Sequence, residues 1–193
     1  MSVLVSGVGE AEGARGAAAA LACAGADADV AALLVEVGGR MPRPTLIASA
    51  AAQKLEERLA AHLPQAKAAA RGQVCHLAVP ADAEGLEAAS AAATVARGAI
   101  AVVHVSPELF QPVLAGESNL RPSGVLLRAD LGSDRSLVAL TVRDLIERGV
   151  PASVLKRRLN WVAERRALFG VLPPGSPGGL PERLVRRVCG SAG

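Results

Sequence analysis

The chain predicts an α/β fold, a mainly parallel sheet flanked by helices. Three observations carry this. Apolar runs of strand length alternate with helical segments along most of the 193 residues. The strand-length runs are near-continuous valine, leucine and isoleucine, as strands covered on both faces require. Aromatic residues are almost absent, with two Phe, one Trp and no Tyr, so the core must be assembled from small aliphatic side chains that let helices pack closely.

Taken in order, the strands are expected at Val3–Val8, Val30–Val37, Val74–Val79, Ile100–Val105, Val125–Ala129, Ala152–Leu155 and Leu168–Leu172. Helices are expected at Ala14–Ala24, Ala48–Arg71, Ala83–Arg97, Leu109–Ala115 and Ser136–Arg148. Gly25 and Gly149 follow their helices where a left-handed cap would sit, and Asp134 precedes one as an N-cap. The proline and glycine cluster from Leu172 to Gly179 ends the sheet portion, and only Leu180–Val188 could add an element beyond it. No internal repeat is present. The reading is one domain spanning 1–193, with a core over about 2–174 and a basic tail over about 175–193.

The net charge of +3 hides an asymmetry. From Val150 onward Lys156, Arg157, Arg158, Arg165, Arg166, Arg183, Arg186 and Arg187 face only Glu164 and Glu182, so the rest of the chain is slightly acidic. Such a region meets nucleic acid, anionic lipid or an acidic partner, or is simply a solvated surface. Lys156, Arg157 and Arg158, with Arg165 and Arg166, flank Trp161, a pattern that suits phosphate and base contacts or a protein interface. In Leu180–Val188 the apolar residues fall on one helical face and Arg183, Arg186 and Arg187 on the other, which suits either weak contact with a membrane surface or a docked terminal helix.

Cys23, Cys75 and Cys189 form no CxxC and no metal spacing, and read as reduced thiols with Cys23 and Cys75 buried. No apolar run reaches the roughly 18 residues of a membrane span, and no signal-peptide pattern opens the chain. The expected location is cytoplasmic, at most peripheral on the inner membrane face.

The functional signal lies between Ser6 and Ala22, in S-G-V-G-E-A-E-G-A-R-G-A-A-A-A-L-A. A strand enters a glycine-rich turn and an alanine-rich helix leaves it. Gly7, Gly9, Gly13 and Gly16 supply permissive backbone, and a helix N-terminus at a strand's carboxyl end is an anion site or a tight packing joint. A working phosphate loop would carry Gly-Lys-Ser/Thr where Gly13-Ala14-Arg15 stands. Strict G-x-G-x-x-G is also missed, because Glu12 occupies the third glycine position, though Glu36 could still hold a ribose. A short-chain dehydrogenase needs a Tyr-x-x-x-Lys pair, which a chain without tyrosine lacks. Arg15 could serve as a phosphate partner in place of the lysine, or pair with a carboxylate such as Glu12. His104 reads as a ligand, a base or a satisfied strand-end histidine; His62 and His76 have no partner at metal-ligand spacing.

Across about Ser2–Pro174 the order of strands and turns resembles the MinD/ParA family of partition and septum-site ATPases. The loop region resembles that family's S-G-K-G-G-V-G-K-T-T, and Val30–Arg40 its second strand, with Glu36 where an aspartate is usual. Ile100–Pro107 is similar to the metal strand, Ser123–Arg148 to the next strand and helix, and Phe169–Pro173 to a late f-G-x-i-P turn. The resemblance implies a phosphate-loop NTPase-like three-layer sandwich and a dimer formed across the nucleotide site. The departures fall on the chemistry. Val8 stands for the signature lysine, Ala14 for the phosphate-binding lysine, Arg15 for the magnesium-holding hydroxyl and His104 for the metal-strand acid. The expectation is a pseudo-ATPase with no required cofactor, acting as a scaffold or localisation partner of the TadZ/CpaE kind in pilus assembly or in pole or septum positioning. Its partner would be a second copy or an active ATPase. The alternatives are an atypical ATP hydrolase using Arg15, and a non-catalytic sensor of ATP, ADP or a dinucleotide.

Overall fold

The computed structural model describes residues 2–8, 13–26, 31–41, 47–129, 134–150 and 152–156. The expected strand at Leu168–Leu172, the Phe169–Pro173 turn, Cys189, the Leu180–Val188 helix and all residues from Arg157 onward lie outside them.

Among the described residues seven strands form one sheet: β1 (Ser2–Gly7), β2 (Ala32–Val37), β3 (Lys67–Arg71), β4 (Val74–Val79), β5 (Ile100–His104), β6 (Gly124–Ala129) and β7 (Ala152–Lys156). Five helices connect them: α1 (Gly13–Gly25), α2 (Ala50–His62), α3 (Ala83–Val95), α4 (Pro107–Ala115) and α5 (Arg135–Glu147). The strand order is β3-β4-β2-β5-β1-β6-β7, parallel throughout except for the edge pair β3–β4. β5 thus separates β1 from β2. In the dinucleotide-binding order 3-2-1-4-5-6 those two strands are neighbours, so this sheet is wound differently.

Strand handedness explains where the helices lie. α3, α4 and α5 connect strands that step toward β7 and pack on one face, while α1 connects β1 to β2 in the opposite direction and packs on the other. Right-handed parallel crossovers require that division. α2 leads into an antiparallel strand, so the rule does not bind it, and it lies on the face of α3. Alternation along the strands gives each face its own core: Leu33, Val35, Leu77, Val103 and Leu127 toward α2–α5, and Val5, Leu34, Val102 and Leu126 toward α1. α1 presents Ala17, Ala18, Leu21 and Ala22 to the sheet, and its alanines allow close approach of backbone to backbone.

One expected helix is two elements. The sequence predicts a helix over Ala48–Arg71; instead α2 stops at His62 and Lys67–Arg71 is the antiparallel edge strand β3. The cause is Pro64, which bars the preceding Leu63 from the helical region: Leu63 sits at φ −133, ψ 64. Gly72, at φ +58, opens a two-residue turn into β4, with positive φ at its first central position as a II′ hairpin needs. The edge is guarded. Lys67 and Arg71 bracket it, and Glu56 of α2 accepts a hydrogen bond from the Ala70 amide at 2.9 Å.

Two smaller expectations are corrected. Gly25 is the last residue of α1 without a positive φ, because the Ala26 amide still bonds the Ala22 carbonyl at 3.1 Å and prolongs the helical pattern. Cys23 is exposed while Cys75 is buried, since α1 faces the sheet through residues 17, 18, 21 and 22 and Cys23 falls off that stripe. Asp134 and Gly149 behave as expected. The Asp134 carboxylate accepts from the Ser136 amide at 2.7 Å, and Gly149 takes φ +70 just beyond α5. No helix among the described residues is long and apolar enough to cross a membrane.

Candidate functional site at the carboxyl edge

β1 feeds α1 toward β2 on one side, and β5 feeds α4 toward β6 on the other. The connections therefore diverge at the carboxyl ends of β1 and β5, the place where open α/β sheets bind ligands. The first turn of α1, with Gly13 and Arg15, lies at this edge beside the end of β1 at Gly7.

The α1 face of the edge is charged. Strand alternation directs His76, Glu36, His104 and Arg128 to the side occupied by α1, each following apolar residues of the same strand. Glu36 and His104 are Cα partners on β2 and β5, and Gly7 is the partner of Arg128 on β1 and β6. The Val8 amide extends that ladder by donating to the Arg128 carbonyl at 2.9 Å.

Arg15 and Glu36 make the central contact. Arg15 Nε donates to Glu36 Oε1 at 2.6 Å and Nη2 to Oε2 at 2.8 Å, a two-pronged charge-assisted pair. The same Nη2 donates to the Arg40 carbonyl at 3.2 Å. The carboxylate side chain is 8% exposed and the guanidinium side chain 54%. The hydrogen bond to Glu36 raises the Arg15 pKa above its usual value, opposed by desolvation and helped by the carboxylate charge. Burial holds the His104 imidazole below its ordinary pKa; Glu36 pulls it up and Arg15 pushes it further down. His76 is lowered in the same way by burial, with Glu36 opposing and Arg71 adding to the effect. Both histidines therefore favour the neutral form more than a free imidazole does.

The structure brings Gly7, Gly13, Arg15 and Gly16 to this edge, while Gly9 lies outside the described residues. Gly13 has a packing cause: a Cβ there would sit 2.7 Å from Arg128 Nε. Gly16 has none, with open space where its Cβ would be. The carboxylate paired with Arg15 is Glu36, which places the residue read as a ribose ligand in an internal ion pair. Ala14 is 2% exposed and Val8 5%, so both positions where the resemblance expects lysines are packed inward. Ser6, fully buried, places Oγ 3.4 Å from the Gly7 carbonyl. Arg128 is a site residue that the sequence motifs do not mark. Its signal was one charge inside the apolar run Val125–Ala129, at the position that alternation sends to the α1 face. The interaction candidates Arg157, Arg158, Trp161, Arg165, Arg166, Arg183, Arg186 and Arg187 fall outside the described residues.

The fold and the edge together define an α/β protein with a predominantly parallel sheet and an ion-paired carboxyl edge. No protein-family model, curated protein or solved structure matches the chain significantly.

Proposed function

We propose that this chain is a non-catalytic relative of the MinD/ParA-like ATPases, serving as a scaffold or localisation partner. One observation carries the reading: the only basic side chain of the 13–16 segment, Arg15, is engaged by the Glu36 carboxylate and the Arg40 carbonyl. Two further features support it. The loop strand β1 lies directly beside β5, whose end carries His104 where the resemblance expects the metal-strand acid. The positions where the resemblance expects lysines are the buried apolar residues Val8 and Ala14, which supports a reading without the family's lysine contacts to phosphate and partner. The partner in this reading is a second copy or an active ATPase, and contact through the basic region beyond Val150 would hold the assembly at its site.

Thermal melting with and without ATP, ADP and NAD tests it. A ligand at 100 times its dissociation constant stabilises by about 2.7 kcal/mol, a readily measured shift. The expected result is no shift with any of the three. An ATP shift with magnesium-dependent phosphate release would replace the scaffold reading with an atypical hydrolase, and a shift without turnover would replace it with a sensor.

A further inference from the structure

Beyond Val37 the chain turns back over the edge it has just left. Gly38, at φ +76, donates its amide to the Val79 carbonyl at 2.8 Å, and its α-carbon faces Ala81 closely enough that a Cβ would lie 2.9 Å from the alanine's. The Gly39 amide donates to the Glu36 carbonyl at 3.4 Å, and a Cβ on Gly39 would stand 2.4 Å from the Glu36 Cβ. Gly39 thus lies directly against Glu36 and helps to hide its carboxylate. The next attachment among the described residues is the Arg40 carbonyl on Arg15 Nη2 at 3.2 Å. One guanidinium therefore holds the buried carboxylate and the segment that covers it.

We propose that residues 38–41 form a strap over the carboxyl edge, latched by Arg15 and opening as a unit when the Arg15–Glu36 pair is broken. The closed state has a firm end and a weak one. Gly38 is tied to β4 by a short backbone bond and by packing on Ala81, whereas Arg40 is held by one hydrogen bond from a half-exposed side chain. Gly38 is the hinge, because a positive φ at glycine gives the chain a pivot that other residues resist. Arg15 is the latch, because a planar guanidinium can grip two carboxylate oxygens and a carbonyl together, which a lysine ammonium cannot match in geometry. Opening uncovers Glu36 and releases the guanidinium from the strap.

Limited trypsin digestion of the native full chain reads the strap directly. The Arg40–Met41 bond is cleavable only when the Arg40 carbonyl leaves Arg15, because a protease needs the segment extended and free. The neighbouring Arg43–Pro44 bond resists trypsin, so cleavage in this region reports Arg40 alone. Exposed Arg97, in the turn before β5 at the sheet's opposite edge, is the internal reference. Two variants open the strap by different routes. Glu36→Gln removes the charge that holds Arg15, and Gly39→Ala forces the segment away sterically while leaving every charge in place. Both should raise cleavage after Arg40, relative to Arg97, by about tenfold, the effect of losing one charge-assisted contact. Arg15→Lys, which keeps the charge and loses the geometry, should give a smaller rise of the same kind. An unchanged ratio in Glu36→Gln and Gly39→Ala overturns the proposal. So does a parallel rise at both arginines, which would report general loosening.

Discussion

Glu36 and His104 stand opposite each other on adjacent parallel strands, on the one face of the sheet where α1 is the covering helix. The carboxylate is committed to Arg15, so the imidazole beside it gains less than a full counter-charge while it is desolvated by the strands around it. Burial outweighs the attraction, and His104 titrates below its ordinary value of 6.5, as does His76.

A pH dependence follows from that balance. The folded state binds fewer protons at these two histidines than the unfolded state does, so stability rises with pH through the region below about 6.5 and levels above it. Stability is lost as the pH falls from 6.5, because unfolding lets the imidazoles take up protons that the fold resists. Chemical denaturation at pH 7.5 and at pH 5.5 should give the lower midpoint at pH 5.5. His104→Gln and His76→Gln should each flatten the difference. Equal slopes in wild type and both variants would place the acid sensitivity elsewhere.

Two helical glycines give predictions of opposite sign. Gly85, in the first turn of α3, faces the Pro80 carbonyl so closely that a Cβ would lie 1.9 Å from its oxygen. The neighbour is backbone and cannot step aside cheaply. Gly85→Ala should therefore destabilise by about 1–3 kcal/mol despite alanine's better helix propensity. Gly16 meets nothing within 4 Å, so Gly16→Ala should stabilise by about 0.5–1 kcal/mol. In a domain of this size the two melting shifts would run roughly 2–4 °C per kcal/mol in opposite directions. A loss of stability in Gly16→Ala would mean that the start of α1 is packed more tightly than this.

The strand pattern was legible because buried parallel strands are written as continuous aliphatic runs: β2, β4, β5 and β6 fall within two residues of their expected limits. β3 was illegible for the opposite reason. Its Lys-Ala-Ala-Ala-Arg is an edge strand of small, helix-favouring residues, and hairpin pairing with β4 decides its form against its own propensity. Leu63-Pro64 was the local signal that α2 had to end. At the site, the sequence pointed to Arg15 and Glu36 separately. What it did not reveal was that they meet, because a pairing 21 residues apart depends on where β5 inserts between β1 and β2. Gly13 reads as a phosphate-loop glycine, yet a Cβ there would meet Arg128 on β6, a strand more than a hundred residues further along the chain that pairs with β1.

The cysteines offer a check on the packing of β4 that is independent of any function. Cys75 sits in the core toward α2, fully buried, and burial together with the nearby Glu56 charge pushes its thiol up to about 12. Only the thiolate attacks an alkylating reagent, so near neutral pH Cys75 is protected twice, by access and by protonation. Cys23 is exposed on the outer side of α1 and has no such shelter. Brief treatment of the native protein with a maleimide at pH 7, followed by peptide mapping, should find Cys23 modified and Cys75 intact. Adding denaturant should bring Cys75 to the same extent of labelling. Glu56→Gln removes the nearby charge and one guard of the β3 edge while leaving Cys75 buried, so native labelling there should stay negligible. Rapid native labelling of Cys75 in the wild type would show that β4 is not covered by α2 as described.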